Sequence, residues 1–147
     1  MTAALQRQNP RRDGFAKTQL ERQGLTLKTG APVTAALAVG NGVAAGFGDG
    51  TVRFFYPEEQ PTVVKAHNGP ILDLAADGAT GAVLTGGDDG RFVHVSPDGK
   101  IEEIATFGTK WVDCVAAAPG YLACSSGRTA HVSVSYTHLR AHETEEN

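Results

Sequence analysis

From Pro32 to Ser133 the chain alternates short apolar runs with glycine-bearing polar turns. Runs such as "PILDLAAD" (Pro70–Asp77), "RFVHVS" (Arg91–Ser96) and "WVDCVAAA" (Trp111–Ala118) are rich in Val, Ile, Leu and Phe. At about six residues each they are too short to compete as helices, and their composition suits a pleated, half-buried surface. The punctuation is equally directional. Gly78 and Gly81, then Asp89-Gly90, then Pro97-Asp98-Gly99 separate successive runs. Asp-Gly between alternating apolar runs is a strong hairpin signal, because the turn needs a positive φ that Gly adopts without strain. The pattern predicts strand, turn, strand, turn, strand, loop, strand, with all neighbours antiparallel.

The same pattern returns along the chain. "GFGDGTVRFFYP" (Gly46–Pro57) and "GGDDGRFVHVSP" (Gly86–Pro97) match at Gly46/Gly86, Asp49/Asp89, Gly50/Gly90 and Pro57/Pro97, an offset of 40. "GRTAHVS" (Gly127–Ser133) echoes "GRFVHVS" (Gly90–Ser96) at an offset of 37, which sets Ser126 where the earlier copies have their turn aspartate and His131 opposite His94. Upstream, Asp73 and Asp113 lie 40 apart, Trp111 aligns with Ile71, and "PVTAALAV" (Pro32–Val39) is a fainter first copy. Four short antiparallel strands every forty or so residues is the period of a propeller blade. The expected fold is all-β, a partial β-propeller of about two and a half four-stranded antiparallel blades.

Over residues 31–133 the chain resembles the WD-repeat β-propellers. "AHNGPILDLAADGATGAVLTGGDDGRFVHVS" (Ala66–Ser96) follows that motif along its length, with His67 at the family's histidine, Thr85 at its strand hydroxyl and Asp89 at its tight-turn aspartate. The family's Trp-Asp ending is replaced by Phe55-Tyr56, Val95-Ser96 and Val132-Ser133 in the three copies. The resemblance implies that His67, Thr85 and Asp89 form a structural hydrogen-bonded network without the tryptophan. A buried aspartate needs such partners. It also implies that the loops before each innermost strand share a rim with the turns between second and third strands. That rim would collect Asn68, Asp88, Thr109, Lys110 and Trp111, a mixture suited to protein recognition. Trp111 itself has two readings: packing between blades, as its alignment with Ile71 suggests, or an aromatic anchor at the rim.

Composition narrows the class. Of 147 residues 41% are hydrophobic and 20% charged, which fits one ordinary globular domain rather than a disordered chain. Residues 1–30 carry six bases and two acids, so a chain of net charge −3 has a +4 arm on a −7 body. An acidic body argues against nucleic acid as a partner, and the arm (residues 1–29) reads as a solvated terminus. "GLTLKTG" (Gly24–Gly30) has a strand's alternation, and one short helix fits after Pro10. No run has the length of a membrane span and none resembles a secretory signal. Cys114 and Cys124 sit in apolar runs and read as buried free thiols of a reducing compartment. The expected location is the cytoplasm. The last run, "VSYTHLRAHET" (Val134–Thr144), has no turn signal or period and resembles a translated transposon-derived sequencing adapter. Residues 134–147 are therefore expected to be foreign to the protein and its reading frame to be interrupted near Ser133.

Candidate chemistry is sparse. Ser125 lacks a nucleophile elbow and reads as a strand end. Asp88, Asp89 and Asp98 lack the spacing of a calcium loop, so turn chemistry explains them and no metal is expected. His94 and His131 would stand on different blades. The sequence thus points to an intracellular scaffold for an unidentified protein partner, with no cofactor, no small-molecule substrate and no membrane. The alternative is a propeller enzyme with a site in its central channel, for which Asp73 and Asp113 are the only visible starting point.

Overall fold

The computed structural model describes residues 16–78 and 80–134, in two compact units, Met1–Gly30 and Ala31–Asn147. The first holds one helix, α1 (Gln19–Gln23). Its start is a capping box: Glu21 N–H donates to Thr18 Oγ1 at 3.2 Å and Thr18 N–H to Glu21 Oε2 at 2.7 Å. Residues 24–30 form no strand of their own. The beginning of the arm (residues 1–15) lies outside the described residues.

The second unit is three antiparallel meanders. The first runs β1 (Val33–Val39), β2 (Gly42–Phe47), β3 (Thr51–Phe55), β4 (Thr62–Lys65); the second β5 (Ile71–Asp77), β6 (Ala82–Gly87), β7 (Arg91–Val95), β8 (Ile101–Thr106). The third is β9 (Val112–Ala118), β10 (Tyr121–Ser126) and β11 (Thr129–Val134). Each sheet is a blade whose strands pair in chain order, as the regularly spaced turn signals predict. The first strands, β1, β5 and β9, lie side by side. The expected foreign tail falls on residues outside those described, apart from Val134, which closes β11 opposite Tyr121.

The turns are built by aspartates. Asp49 Oδ1 accepts from Thr51 N–H at 3.0 Å, Asp89 Oδ1 from Arg91 N–H at 3.2 Å and Asp98 Oδ1 from Lys100 N–H at 3.0 Å. Each carboxylate mimics a backbone turn two residues on. Gly90 then takes φ +81°, and a Cβ there would collide with the Gly108 carbonyl of the β8–β9 loop. Gly50, at φ +85°, meets the His67 carbonyl in the same way. Positive φ and close approach both require glycine at these two positions.

Packing lies between blades. Val39, Ala44, Val52, Phe54 and Val64 meet Ile71, Leu74, Val83, Val93 and Val95 between the first and second; Leu84 and Phe92 meet Val112, Val115, Leu122 and Cys124 between the second and third. All six residues of β6 are buried, since a blade covers each of its faces, whereas β10 alternates buried Leu122, Cys124 and Ser126 with more accessible neighbours. Burying one such Val or Leu fully contributes about 1.5–3 kcal/mol.

Each inner strand carries an irregularity near its start, between Val33 and Ala35, between Ile71 and Asp73, and opposite Ser125/Ser126 in β9. Its place sets the true equivalences. Ile71 pairs with Gly87 and Val112 with Ser126, so Val112, not Trp111, is the counterpart of Ile71. Val112 is fully buried and Trp111, one residue earlier, is 58% exposed. The expected packing of Trp111 between blades is overturned by this one-residue shift.

Candidate functional site

At the junction of the first two blades the chain leaves β4, places His67 before β5, and meets the β6–β7 turn. His67 is 1% exposed and Thr85 completely buried. His67 Nδ1 lies 2.8 Å from Asp89 Oδ1 and Nε2 lies 2.7 Å from Thr85 Oγ1. Asp89 Oδ2 also accepts from Asn68 N–H at 2.9 Å, and the Arg91 guanidinium stands 3.8 Å from the same oxygen. Arg91 is anchored in turn to the Ala66 carbonyl at 2.7 Å and to Glu103 at 2.6 Å. Among the described residues no buried side-chain nitrogen or oxygen lacks a partner.

The electrostatics follow. Burial pushes the Asp89 carboxyl upward, but the Asn68 and Arg91 N–H groups and His67 outweigh it and hold Asp89 below the usual carboxylate value. Burial also dominates at His67 and pushes it below 6.5, against the opposing pull of Asp89. His67 is therefore neutral near pH 7. An ionised carboxylate only accepts, so Nδ1–H donates to Asp89 and Nε2 accepts the Thr85 hydroxyl proton.

Among the described residues this network stands only in the middle blade. Ala45 and Cys124 occupy the positions of Thr85, because Ala45 pairs with Arg53 and Cys124 with Val115 as Thr85 does with Val93 and Leu74. Gly108 takes the place of His67 beside Gly90. Ser126 is not at a turn-aspartate position: it pairs with Val112 as Gly87 does with Ile71, and the β10–β11 hairpin turns on Gly127 and Arg128 alone.

Around the network the loops converge. Asp88 N–H donates to the Pro70 carbonyl at 3.3 Å, and its carboxylate lies against Gly69, where a Cβ would collide with it. On the other side of the same turn, Phe107 N–H donates to the Gly90 carbonyl at 2.8 Å and Lys110 N–H to the Phe107 carbonyl at 3.3 Å. The β6–β7 turn is thus wedged between the loop bearing Asn68 and the loop bearing Thr109, Lys110 and Trp111. Asn68, Thr109, Lys110 and Trp111 are exposed and Asp88 is half-buried.

The remaining candidates are dispersed. Asp73 Oδ2 accepts from Val115 N–H at 2.9 Å, tying β5 to β9. Asp113 instead accepts from Ser125 Oγ at 2.6 Å, and the residue equivalent to Asp73 by pairing is Cys114. The two aspartates therefore do not repeat one position, as the sequence offset suggested. His94 and His131 are likewise not equivalent: His94 pairs with Leu84 and bonds Asp77 at 3.0 Å, whereas His131 pairs with Cys124 and stacks on Phe107 with centroids 4.4 Å apart. Both cysteines are free, but only Cys124 is buried; Cys114 is exposed, against expectation. Sequence reasoning passed over Arg91, whose long side chain links the Asp89 turn to the backbone of Ala66. Its position directly after Asp-Gly was the available signal.

Meanders of four short strands, packed face to face with their first strands innermost, define β-propeller blades. The chain has the fold of part of a WD40 β-propeller. Among solved structures it is similar to the WD40 β-propeller domain of Doa1, with a TM-score of 0.57 and 22% identity, over 71% of this chain and 38% of that one. No protein-family model matches the chain, and no curated protein matches it in sequence. Among the described residues no helix is long and apolar enough to cross a membrane.

Proposed function

We propose that this chain is part of an intracellular, cytoplasmic WD-repeat scaffold that holds a protein partner on the rim formed by Asn68, Asp88, Thr109, Lys110 and Trp111, and that it is not an enzyme. The observation that carries the reading is Trp111, 58% exposed on a loop whose backbone is fixed against Gly90. A large aromatic held rigidly in solvent, beside a lysine, is the composition of an interface anchor. His67, Thr85 and Asp89 serve this rim structurally, by fixing the turn beneath it. Catalysis needs a positioned acid–base or nucleophile pair. Asp73 is engaged by a backbone N–H and Asp113 by a serine, on different strands.

The test is a Lys110→Glu, Trp111→Ala double variant beside a Glu102→Lys control on exposed β8, both checked by circular dichroism. Proteins recovered by the wild type and the control should be lost from the double variant. Unchanged recovery refutes the rim. Turnover of a small substrate that Asp73→Asn abolishes would replace the scaffold reading with the channel-enzyme one.

A further inference from the structure

The Thr85 hydroxyl has two partners. Besides His67 Nε2 at 2.7 Å, it lies 3.3 Å from the Val93 carbonyl, and its single proton serves one of them at a time. With neutral His67 the proton points at Nε2. If His67 gains a proton, Nε2–H becomes a donor, Thr85 Oγ1 becomes its acceptor, and the hydroxyl proton turns to the Val93 carbonyl. Nδ1–H donates to Asp89 Oδ1 in both states. Neither state leaves a buried polar group without a partner.

We infer that His67, Thr85 and Asp89 form a protonation switch in the middle blade, in which rotation of the Thr85 hydroxyl lets the buried imidazole take up a proton while the blade stays folded. An unpaired imidazolium at a site 1% exposed would carry a large desolvation cost. Here the groups facing it are set to receive the charge. From the β6–β7 turn come the Asp89 carboxylate, 11% exposed and in contact, and Asp88 further off. From β7 comes the opposing Arg91 guanidinium, itself paired with Glu103 on β8 at 2.6 Å. From β6 comes Thr85, uncharged and able to reverse its role. The net environment keeps the imidazole neutral near pH 7 and moves its proton uptake below 6.5. The bond count on each nitrogen is complete before and after, and the only covalent change is one N–H formed with solvent-derived H⁺.

The experiment is an NMR titration of the full chain labelled at histidine, following the His67 ring with the amide spectrum as the record of folding. His67 should titrate reversibly, with a midpoint below 6.5, while the blade amides keep their dispersion. Thr85→Ser preserves the rotating hydroxyl and should leave the midpoint in place. Thr85→Val removes it and should lower the midpoint by about one pH unit, because a charged N–H left without an acceptor costs more than a neutral nitrogen left without a donor. His67 remaining neutral until the amides collapse would overturn the switch. So would a Thr85→Val midpoint equal to or above that of the wild type.

Discussion

Replacing Asp89 with alanine removes three acceptor contacts at once. His67 Nδ1, Asn68 N–H and Arg91 N–H all rely on its carboxylate, at 2.8, 2.9 and 3.2 Å. They do not cost the same. Asn68 is exposed, so its N–H recovers a hydrogen bond from water and only the net value of the bond, about 0.5–1.5 kcal/mol, is lost. His67 is 1% exposed, and an orphaned donor there costs about 1–3 kcal/mol. The imidazole can moderate this by moving its proton to Nε2 and donating to Thr85, which then donates to Val93; that relaxation favours the lower part of the range. With the smaller share from Arg91, Asp89→Ala should destabilise the chain by about 2–4 kcal/mol. Asp49→Ala is the internal reference. Its carboxylate is 43% exposed and bonds Thr51 and Arg53 with no histidine behind it, so it should cost about 1 kcal/mol or less. Urea unfolding followed by far-ultraviolet circular dichroism measures both. Asp89→Ala within about 0.5 kcal/mol of the wild type, or no more costly than Asp49→Ala, would refute the buried network as a source of stability.

Stability should fall on acidification from pH 7. A folded-state His67 value below 6.5 means that the unfolded chain binds the proton first, so the contribution is complete above 6.5 and is lost as pH drops from there towards the folded value. Asp89, held below 3.8, adds a further loss only as pH falls below that value, and flat urea midpoints from pH 7 to 5 would contradict the assignment at His67. Val112→Ala should destabilise by about 2–3 kcal/mol, since it empties a fully buried site between blades, while Trp111→Ala should stay within about 0.5 kcal/mol of the wild type; reversed sizes would restore the packing role first expected of Trp111. Cys114 should react with a disulfide reagent at neutral pH well before Cys124, which is 5% exposed and whose thiol is pushed up by burial; equal rates would mean that the third blade opens freely.

What could be read from the sequence depended on whether a feature was local or relative. The turns were legible because Asp-Gly carries its own stereochemistry, and the pairing of β2 with β3 and β6 with β7 keeps the offset of 40 seen in Gly46 and Gly86. The approach of His67 to Thr85 and Asp89 came from the resemblance, since nothing in period or composition brings residues 18 and 22 positions apart together. The third blade was misaligned for a specific reason. Its equivalences to the second are 41 positions for Ile71 and Val112, 39 for Thr85 and Cys124, and 38 for Val93 and His131. β8 carries one extra residue at its irregularity opposite Phe92/Val93 and both hairpins of the third blade are shorter, and a gap-free offset of 40 or 37 averages over them. Trp111, Asp113, Ser126 and His131 were each displaced by that averaging.

The histidine that precedes β5 also gives the unit a mechanical direction. It sits on the strap leaving the first blade, and its ring is fastened by hydrogen bonds inside the second, while the strap leaving the second blade carries Gly108 in its place and meets the third through the Phe107 ring stacked on His131. Tension applied along the chain would therefore meet a latch at the first boundary. At the second boundary, among the described residues, it would be resisted by apolar packing, that stacking and the bond from Asp73 to Val115. The blades should part in a fixed order, the third peeling away while the first two still move as one piece.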